Sequence, residues 1–245
     1  MTVLVDLGNT RLKWAILRAD GSLGPMRAVA CDGCSISSLR AGMPVLAVSV
    51  AKESVRARFA AFVRKSTGFE PKFVTSEPSH DGLVNGYREA WRLGADRWVG
   101  LIGARACFPR ARALLVVDVG TATTIDLLAC DDRHRGGLIL PGPSMMVESL
   151  LGKTGGIAMR AKDNRRSQAR RFFARDTRAA IEQGAVQSVA AAIDRAWREA
   201  RASIGVSPKL LLTGGGAAAI ENELRAPFLR IDDLVLRGLV QYLKK

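Results

Sequence analysis

The sequence predicts an α/β fold of two similar domains, each with a mixed β-sheet flanked by helices, and a cleft between the domains. Three observations lead to this prediction. A short acidic motif in the first apolar run returns near the middle of the chain. Runs that suit strands alternate with runs that suit amphipathic helices. The 245 residues are enough for two domains of about 100–150 residues with cores of their own.

The acidic motif occurs once in each half of the chain. Residues 3–10 read VLVDLGNT and residues 115–123 read LVVDVGTAT, so that Asp6 and Asp118 are 112 residues apart. In each copy a β-branched run, which suits a buried strand, ends in Asp-x-Gly. A second apolar run follows each turn. This order predicts two β-hairpins with glycine-containing bends.

The remainder of the chain continues the alternation of strands and helices. Short apolar runs predict strands at 45–50, 136–141 and 210–212, and helical spacing predicts helices at 52–65, 93–107, 144–151, 177–204 and 232–243. No linker rich in Pro or Ser separates the halves. We therefore place the boundary just before the second acidic motif, with an N-terminal domain of residues 1–113 and a C-terminal domain of residues 114–245.

The chain is strongly basic, with 37 Lys and Arg against 23 Asp and Glu, a formal net charge of +14. Such a charge raises the prospect of a nucleic-acid partner. The densest basic cluster, residues 160–178, has eight basic residues but few stacking aromatics, and it matches no nucleic-acid-binding motif. We therefore favour a solvated surface that attracts anionic substrates, and we disfavour nucleic acid as a partner.

Several other classes of protein are disfavoured as well. The N-terminus reaches Asp6 after a short apolar run and lacks the basic start of a signal peptide. No apolar run approaches the length needed to span a bilayer, so we expect a cytoplasmic protein without a membrane partner. Cys31 and Cys34 have metal-ligand spacing, but no second pair of ligands follows at the distance typical of zinc sites. We expect unpaired thiols.

The first acidic motif has the residue types that phosphate binding requires. Asp6 can hold Mg²⁺ directly or through water, while Gly8 lets the backbone approach a phosphate group. The side chains of Asn9 and Thr10 and the turn amides can donate hydrogen bonds, and Lys13 can reach phosphate oxygens. A single copy is equally compatible with an ordinary turn, because Asp-x-Gly-Asn is a good turn sequence.

The second copy and a glycine turn favour a nucleotide site. Residues 211–217, LLTGGGA, predict a strand-to-helix turn with room for a nucleotide where a Cβ would clash. Two phosphate motifs followed by an adenosine motif resemble the actin-like ATPase superfamily, which implies two ribonuclease-H-like domains and a nucleotide cleft between them. A P-loop is excluded because Val147 stands where the pattern before Gly152 and Lys153 requires glycine.

Residues 94–97, Gly-Ala-Asp-Arg, predict a binding site for a phosphoryl acceptor at the start of a helix. Asp96, at a helix N-terminus beside Arg97, is expected to stay ionised and could accept the proton of an alcohol during phosphoryl transfer. The guanidinium of Arg97 could bind an anionic group in a bidentate way. The spacing alone favours a simpler arrangement, in which Asp96 satisfies helix amides and Arg97 lies on the surface.

Five motifs in order resemble the type III pantothenate kinases: 6–10 (DLGNT), 94–97 (GADR), 118–124 (DVGTATT), 136–142 (GGLILPG) and 213–216 (TGGG). The related Bvg accessory factors share much of this pattern. The resemblance implies ATP-dependent phosphorylation of pantothenate to 4′-phosphopantothenate, the first step of coenzyme A biosynthesis. It also implies Mg²⁺, a monovalent cation (K⁺ or NH₄⁺) and a homodimer.

The resemblance assigns roles to individual residues. Asp96 would be the catalytic proton acceptor, Asp118 would hold the monovalent cation, and Asp6 would hold Mg²⁺ at the phosphate site. The ATP site would comprise Asp6, Leu7, Gly8, Asn9, Thr10, Arg11, Leu12, Lys13 and Thr121, and the pantothenate site would comprise Tyr87, Gly94, Ala95, Asp96, Arg97 and Thr177. One departure is Ala90, which stands where the family has proline and leaves the placement of Tyr87 open.

Two other functions remain compatible with the sequence. One is an actin-like kinase that acts on a different small alcohol. The other is a regulatory accessory factor of the same fold that works through a protein or nucleic-acid partner. The presence of Asp6, Asp96 and Asp118 favours a working kinase over both a lost active site and a purely regulatory role.

Overall fold

The computed structural model describes residues 1–31, 36–161 and 172–244. Its strands are β1 Thr2–Leu7, β2 Arg11–Leu17, β3 Arg27–Ala30, β4 Val45–Ser49, β5 Lys72–Val74, β6 Ser79–His80, β7 Leu83–Val84, β8 Leu114–Val119, β9 Ala122–Leu128, β10 His134–Pro141, β11 Lys209–Thr213 and β12 Phe228–Arg230. Its helices are α1 Glu53–Thr67, α2 Ala95–Cys107, α3 Pro143–Lys153, α4 Gly155–Arg160, α5 Thr177–Ile204, α6 Ala217–Ile220 and α7 Leu234–Gln241, with 3₁₀ turns at Ala90–Arg92 and Glu221–Glu223.

The first sheet has the strand order β3-β2-β1-β4-β5 and mixes both directions. Strand β1 pairs antiparallel with β2 and parallel with β4. Its side chains alternate between two apolar clusters because successive residues of a strand point to opposite faces. Val5 packs in the cluster that contains Phe59 of α1, and Leu4 packs in the cluster that contains Leu239 of α7. The central strand is therefore buried on both faces.

The second sheet repeats this arrangement, with the strand order β10-β9-β8-β11-β12. Strand β8 takes the central place of β1, β9 takes that of β2, and β11 takes that of β4. Alternate residues of β8, among them Val117, pack with Val189 and Ile193 of α5. The two copies of the acidic motif thus end the central strands of two sheets with the same order. The α/β fold with two helix-flanked sheets is confirmed.

The compact units of the chain are interleaved in sequence. The first unit contains Met1–Leu114, Leu128–Gly136 and Asp233–Lys245, and the second contains Leu115–Leu127 and Gly137–Asp232. The predicted domains, in contrast, are continuous. The difference lies mainly in α7, which belongs to the first unit although it is the last helix of the chain.

Glycines explain why α7 packs so closely against α2 in the first unit. A Cβ on Gly238 of α7 would overlap the carbonyl oxygen of Val99 in α2. A Cβ on Gly103 of α2 would overlap the carbonyl oxygen of Leu234. The backbones of the two helices are therefore in direct contact, and such an approach is not visible in the hydrophobic periodicity of either helix.

Most predicted elements are present, with small shifts at their ends. Helix α5 has the predicted bounds, whereas α2 begins at Ala95 because Gly94 is its N-cap. Sequence reasoning did not predict the short strands β3, β5, β6, β7 and β12 or helix α4. Strand β3, for example, is exposed at all four positions, so no alternation of apolar and polar residues marks it.

Parts of two predicted features lie outside the described residues. These are Cys34 and the section 162–171 of the basic cluster. Phe172 and Phe173 follow that section and are both exposed. Among the described residues, no helix combines the length and the apolar character that crossing a membrane requires.

The contact between α2 and α7 leads to a stability prediction. We expect Gly238→Ala to lower the free energy of unfolding by about 1–3 kcal/mol or more, because the added methyl group must displace the backbone of α2. Gly184→Ala in α5 is the matched control, since no atom outside its own stretch of helix backbone lies within 4 Å of a Cβ built there. That change should be neutral or stabilising by about 1 kcal/mol. Urea unfolding of both variants provides the measurement, and equal midpoints would contradict the prediction.

Candidate active site

The first acidic turn joins β1 to β2 in the first unit. The register of the hairpin pairs Asp6 with Lys13 and Leu7 with Leu12. The Lys13 Nζ lies 3.9 Å from Asp6 Oδ2, and both side chains are mostly buried. Partial burial strengthens the attraction between such charges relative to water. A carboxylate and an ammonium group are thereby held side by side at the end of the central strand.

The side chains of this turn divide into core residues and exposed residues. Leu7 and Leu12 are fully buried in the apolar core, so they can offer a ligand only their backbone groups. Asn9, Thr10 and Arg11 are exposed at the bend. In this turn, Leu7 and Leu12 are therefore the predicted ATP-binding residues whose side chains cannot reach a ligand.

The second acidic turn joins β8 to β9 in the second unit. The Gly120 N–H donates to the Ala122 carbonyl at 3.0 Å, which makes this bend one residue shorter than the first. Two other glycine segments meet the turn. The Gly142 N–H donates to the Thr121 carbonyl and the Gly216 N–H donates to the Val119 carbonyl, each at 2.8 Å. Gly142 and Gly216, from the motifs at 136–142 and 213–216, thus meet the second acidic turn within one unit.

Gly214 shows how tightly these segments pack. Its φ of +99° lies in the left-handed region that favours glycine. A Cβ at this position would also overlap Asp118 Oδ1 and lie 2.5 Å from the Val119 carbonyl oxygen. Asp118 Oδ1 is itself buried. The glycine turn therefore encloses a carboxylate oxygen and a carbonyl oxygen, with no space for a side chain.

The predicted acceptor motif begins α2 in the first unit. Gly94 is the N-cap and Asp96 lies in the first turn, where its Oδ1 accepts a hydrogen bond from the Arg97 N–H at 2.8 Å. Asp96 therefore contacts a helix amide, as the simpler interpretation expected. The expectation of a surface Arg97 in that interpretation is wrong, because Arg97 is only 9% exposed.

Tyr87 contacts the buried guanidinium of Arg97. The Arg97 Nη1 donates to the Tyr87 hydroxyl at 3.1 Å, and the Arg97 Cζ lies 5.7 Å from the centre of the Tyr87 ring. His134, the first residue of β10, stacks its ring on that of Tyr87. The ring centres are 5.8 Å apart and the angle between the ring planes is 17°. His134 is 2% exposed. Sequence reasoning missed this contact because His134 is 47 positions away and belongs to no motif.

The loop around Tyr87, which includes Ala90, is ordered by hydrogen bonds. The Asn85 Oδ1 accepts from the Tyr87 N–H at 3.0 Å, and the Asn85 Nδ2 donates to the Ala90 carbonyl at 3.2 Å. The Leu93 N–H also donates to the Ala90 carbonyl, which closes the 3₁₀ turn before α2. The structure thus connects Tyr87 to the start of α2 without the rigid proline ring.

A second network supports the same helix start. The Ser76 Oγ donates to the Leu93 carbonyl at 2.7 Å, next to the N-cap of α2. Adjacent Glu77 accepts from the Tyr242 hydroxyl at 2.9 Å. Burial raises the pKa of the Tyr242 phenol well above its usual value, and the hydrogen bond to Glu77 raises that pKa further. Tyr242 therefore stays protonated and keeps the chain terminus attached to this segment.

The predicted site residues belong to both units. The first unit contains the turn at 6–13 and the pair of Tyr87 and Arg97, while the second contains Asp118 and Thr121 with their glycine segments. Thr177 is the first residue of α5 in the second unit, directly after Asp176, whose carboxylate accepts from the Ala179 N–H at 2.8 Å. Thr177 itself is half-buried.

The oxygen atoms at the two acidic turns suit hard cations. Mg²⁺ and K⁺ prefer carboxylate and carbonyl oxygens to nitrogen or sulfur. Asp6 offers one carboxylate, and Asp118, whose Oδ1 faces Gly214, offers another. In the described part of the chain, no group of three or more His, Cys, Asp and Glu side chains could hold a metal ion.

Comparison with known proteins gives a family match over most of the chain. The family model described as type III pantothenate kinase matches residues 2–199. The type III pantothenate kinase of Aromatoleum aromaticum is 36% identical over 244 residues, which cover 98% of this chain and 96% of that protein.

Solved structures with the same fold are more distant in sequence. A Baf family transcriptional activator from Campylobacter jejuni has a TM-score of 0.59 and 21% identity, covering 97% of this chain and 94% of the other. The activator of 2-hydroxyisocaproyl-CoA dehydratase from Clostridium difficile, with bound ADPNP, has a TM-score of 0.51 and 14% identity over 98% and 93% of the two chains. These similarities show the actin-like ATPase fold.

Proposed function

The chain belongs to the type III pantothenate kinase family, and from this premise we propose how its own residues carry out the reaction. The enzyme transfers a phosphoryl group from ATP to the hydroxyl of pantothenate, which is the first step of coenzyme A biosynthesis. One observation supports the residue assignment above the others. The motif Gly94 to Arg97 starts a helix with a carboxylate in its first turn next to a buried guanidinium.

We propose that this motif binds and activates pantothenate. Asp96 accepts the proton of the pantothenate hydroxyl as the hydroxyl oxygen bonds to the γ-phosphorus of ATP, and ADP leaves. Arg97 pairs with the carboxylate of pantothenate, and Tyr87 fixes the guanidinium through the hydrogen bond to its hydroxyl. Gly94 and Ala95 line the site, and Thr177 contributes a hydroxyl. Catalysis then comes chiefly from holding the acceptor oxygen in line with the phosphorus.

The residues at the acidic turns are proposed to bind ATP and the cations. The turn amides and exposed side chains of residues 8–11 and the ammonium of Lys13 hold the phosphate groups. Thr121 contacts ATP. Asp6 holds Mg²⁺ and Asp118 holds a monovalent cation, K⁺ or NH₄⁺. Bound cations offset the negative charge of the triphosphate.

We also propose that the enzyme is a cytoplasmic homodimer. Among the described residues Cys31, Cys107 and Cys130 form no disulfide bond, which fits a reducing compartment. The second unit exposes apolar side chains on the edge strand β10 and on the adjoining α3, a composition that suits an interface between copies. These are Leu138, Ile139, Met145 and Leu150, which are 40–65% exposed.

The direct test of the function is an ADP-release assay with ATP, Mg²⁺ and pantothenate, run in KCl and in NaCl. We expect ADP only when pantothenate is present. If ADP were released with another alcohol but not with pantothenate, that alcohol would be the substrate instead. Salt-sensitive DNA binding without turnover would point instead to a regulatory factor, an alternative suggested by the net charge of +14 and by the resemblance to the Bvg accessory factors.

Removal of the proposed proton acceptor should leave the fold intact and slow the reaction. We expect Asp96→Asn to lower kcat by about 10²–10⁴-fold, since an amide cannot take the proton but can still accept from the Arg97 N–H. Glu53→Gln, an exposed first-turn residue of α1, is the matched control and should keep the wild-type kcat. Turnover of Asp96→Asn within threefold or so of wild type would remove Asp96 from this role.

Asp118 should control the response to potassium. We expect the wild-type rate to fall when NaCl replaces KCl at equal ionic strength. In Asp118→Asn that difference should disappear and the rate in KCl should drop roughly tenfold or more, because a charge-assisted contact to the cation is lost. A variant that responds to KCl as the wild type does would contradict the assignment.

The exposed apolar surface of the second unit predicts the oligomeric state. We expect a sedimenting species of twice the 26.3 kDa chain mass. Ile139→Glu on strand β10 should shift it to the monomer, because a charge would be buried in the interface. Leu229→Glu on β12, the opposite edge of the same sheet, should remain dimeric. A wild-type monomer at micromolar concentration would refute the homodimer.

A further inference from the structure

Cys31 contacts the first acidic turn at two points, although no sequence motif includes it. Its Sγ donates to the Gly8 carbonyl at 3.1 Å. Its backbone N–H donates to the Thr10 carbonyl, also at 3.1 Å. The carbonyls of Gly8 and Thr10, the residues before and after Asn9, are therefore hydrogen-bonded to a single residue.

The strand pairing explains how Cys31 comes to this position. Strand β3 pairs with β2 so that Ala30 lies opposite Arg11. Cys31 follows immediately and extends the pairing by one residue toward the turn. Its side chain is 5% exposed and packs in the same apolar cluster as Leu7 and Leu12. The thiol is thus fixed by the core below the turn.

The direction of the Gly8 carbonyl determines where the next amide points. In a trans peptide unit the C=O and the N–H point in opposite directions, and the described chain has no cis peptide bonds. Because the Gly8 carbonyl points to the buried Cys31 thiol, the Asn9 N–H points away from the core. Asn9 and Thr10 lie on that outer side and are exposed. An outward amide at an exposed bend is a suitable donor to an anion.

We propose that Cys31 is a positioning residue for ATP, which orients the peptide between Gly8 and Asn9 so that the Asn9 N–H faces the phosphate groups. The thiol itself does not touch the nucleotide. This inference rests on the proposed ATP-binding role of the turn. A thiol is a weak donor, so its contribution comes from being held by the core at hydrogen-bonding distance from the Gly8 carbonyl.

The test compares three variants by two measurements. Cys31→Ala removes the donor, Cys31→Ser keeps a donor at nearly the same place, and Cys107→Ala removes a half-buried thiol that lies in α2. The Kd for ATP is measured by calorimetry without pantothenate, and KM for each substrate is measured by ADP release. Because pantothenate is absent, the Kd for ATP tests the role of the turn even if pantothenate proves not to be the substrate.

We expect Cys31→Ala to raise both Kd and KM for ATP about fivefold, the effect of one lost hydrogen bond, with KM for pantothenate unchanged. The Kd and KM for ATP of Cys31→Ser should stay within about twofold of the wild-type values. Those of Cys107→Ala should equal the wild-type values. An unchanged ATP affinity in Cys31→Ala would overturn the proposal. So would equal weakening toward both substrates, or a serine variant as weak as the alanine variant, because either result indicates a general packing role.

Discussion

Strand β1 is packed on both faces, and this burial fixes the point at which its last residues leave the sheet. Asp6 follows Val5 directly, so the carboxylate cannot move along the strand without bringing apolar side chains to the wrong face. Its partner Lys13 is held in register by the same hairpin. The second sheet applies the same constraint to Asp118 through β8. Both acidic turns are thus extensions of rigid cores, and the polar chemistry of each unit depends on apolar packing beneath it.

Much of this organisation follows from the sequence. The repeated acidic motif predicted the two hairpins, and the periodicity of residues 177–204 gave the bounds of α5, because both signals are local. The placement of α7 in the first unit was not predictable, since it depends on backbone contact at Gly103 and Gly238. The burial of Arg97 and its contact through Tyr87 to His134 also join segments that are distant in sequence. Local patterns identify the functional turns but not the residues that support them.

The loop before α2 is held by hydrogen bonds at the position where the resemblance predicted a proline. A proline at position 90 would restrict the backbone of the 3₁₀ turn. With Ala90 in its place, Asn85 bonds both the Ala90 carbonyl and the Tyr87 N–H, and Ser76 bonds the Leu93 carbonyl. Hydrogen bonds from Asn85 and Ser76 therefore restrict the backbone of the 3₁₀ turn, as a proline ring would. The preceding loop and the helix start behave as one hydrogen-bonded piece, in which the buried guanidinium of Arg97 has a defined partner.

The position of α7 has a consequence for biosynthesis. A ribosome that has completed residues 1–114 has released the whole first sheet, but Leu4 and Leu46 on one of its faces still lack the cover that Leu236 and Leu239 provide. Domains otherwise tend to fold from the N-terminus as they emerge. Here the apolar face of the nascent first unit stays incompletely covered until α7 has emerged.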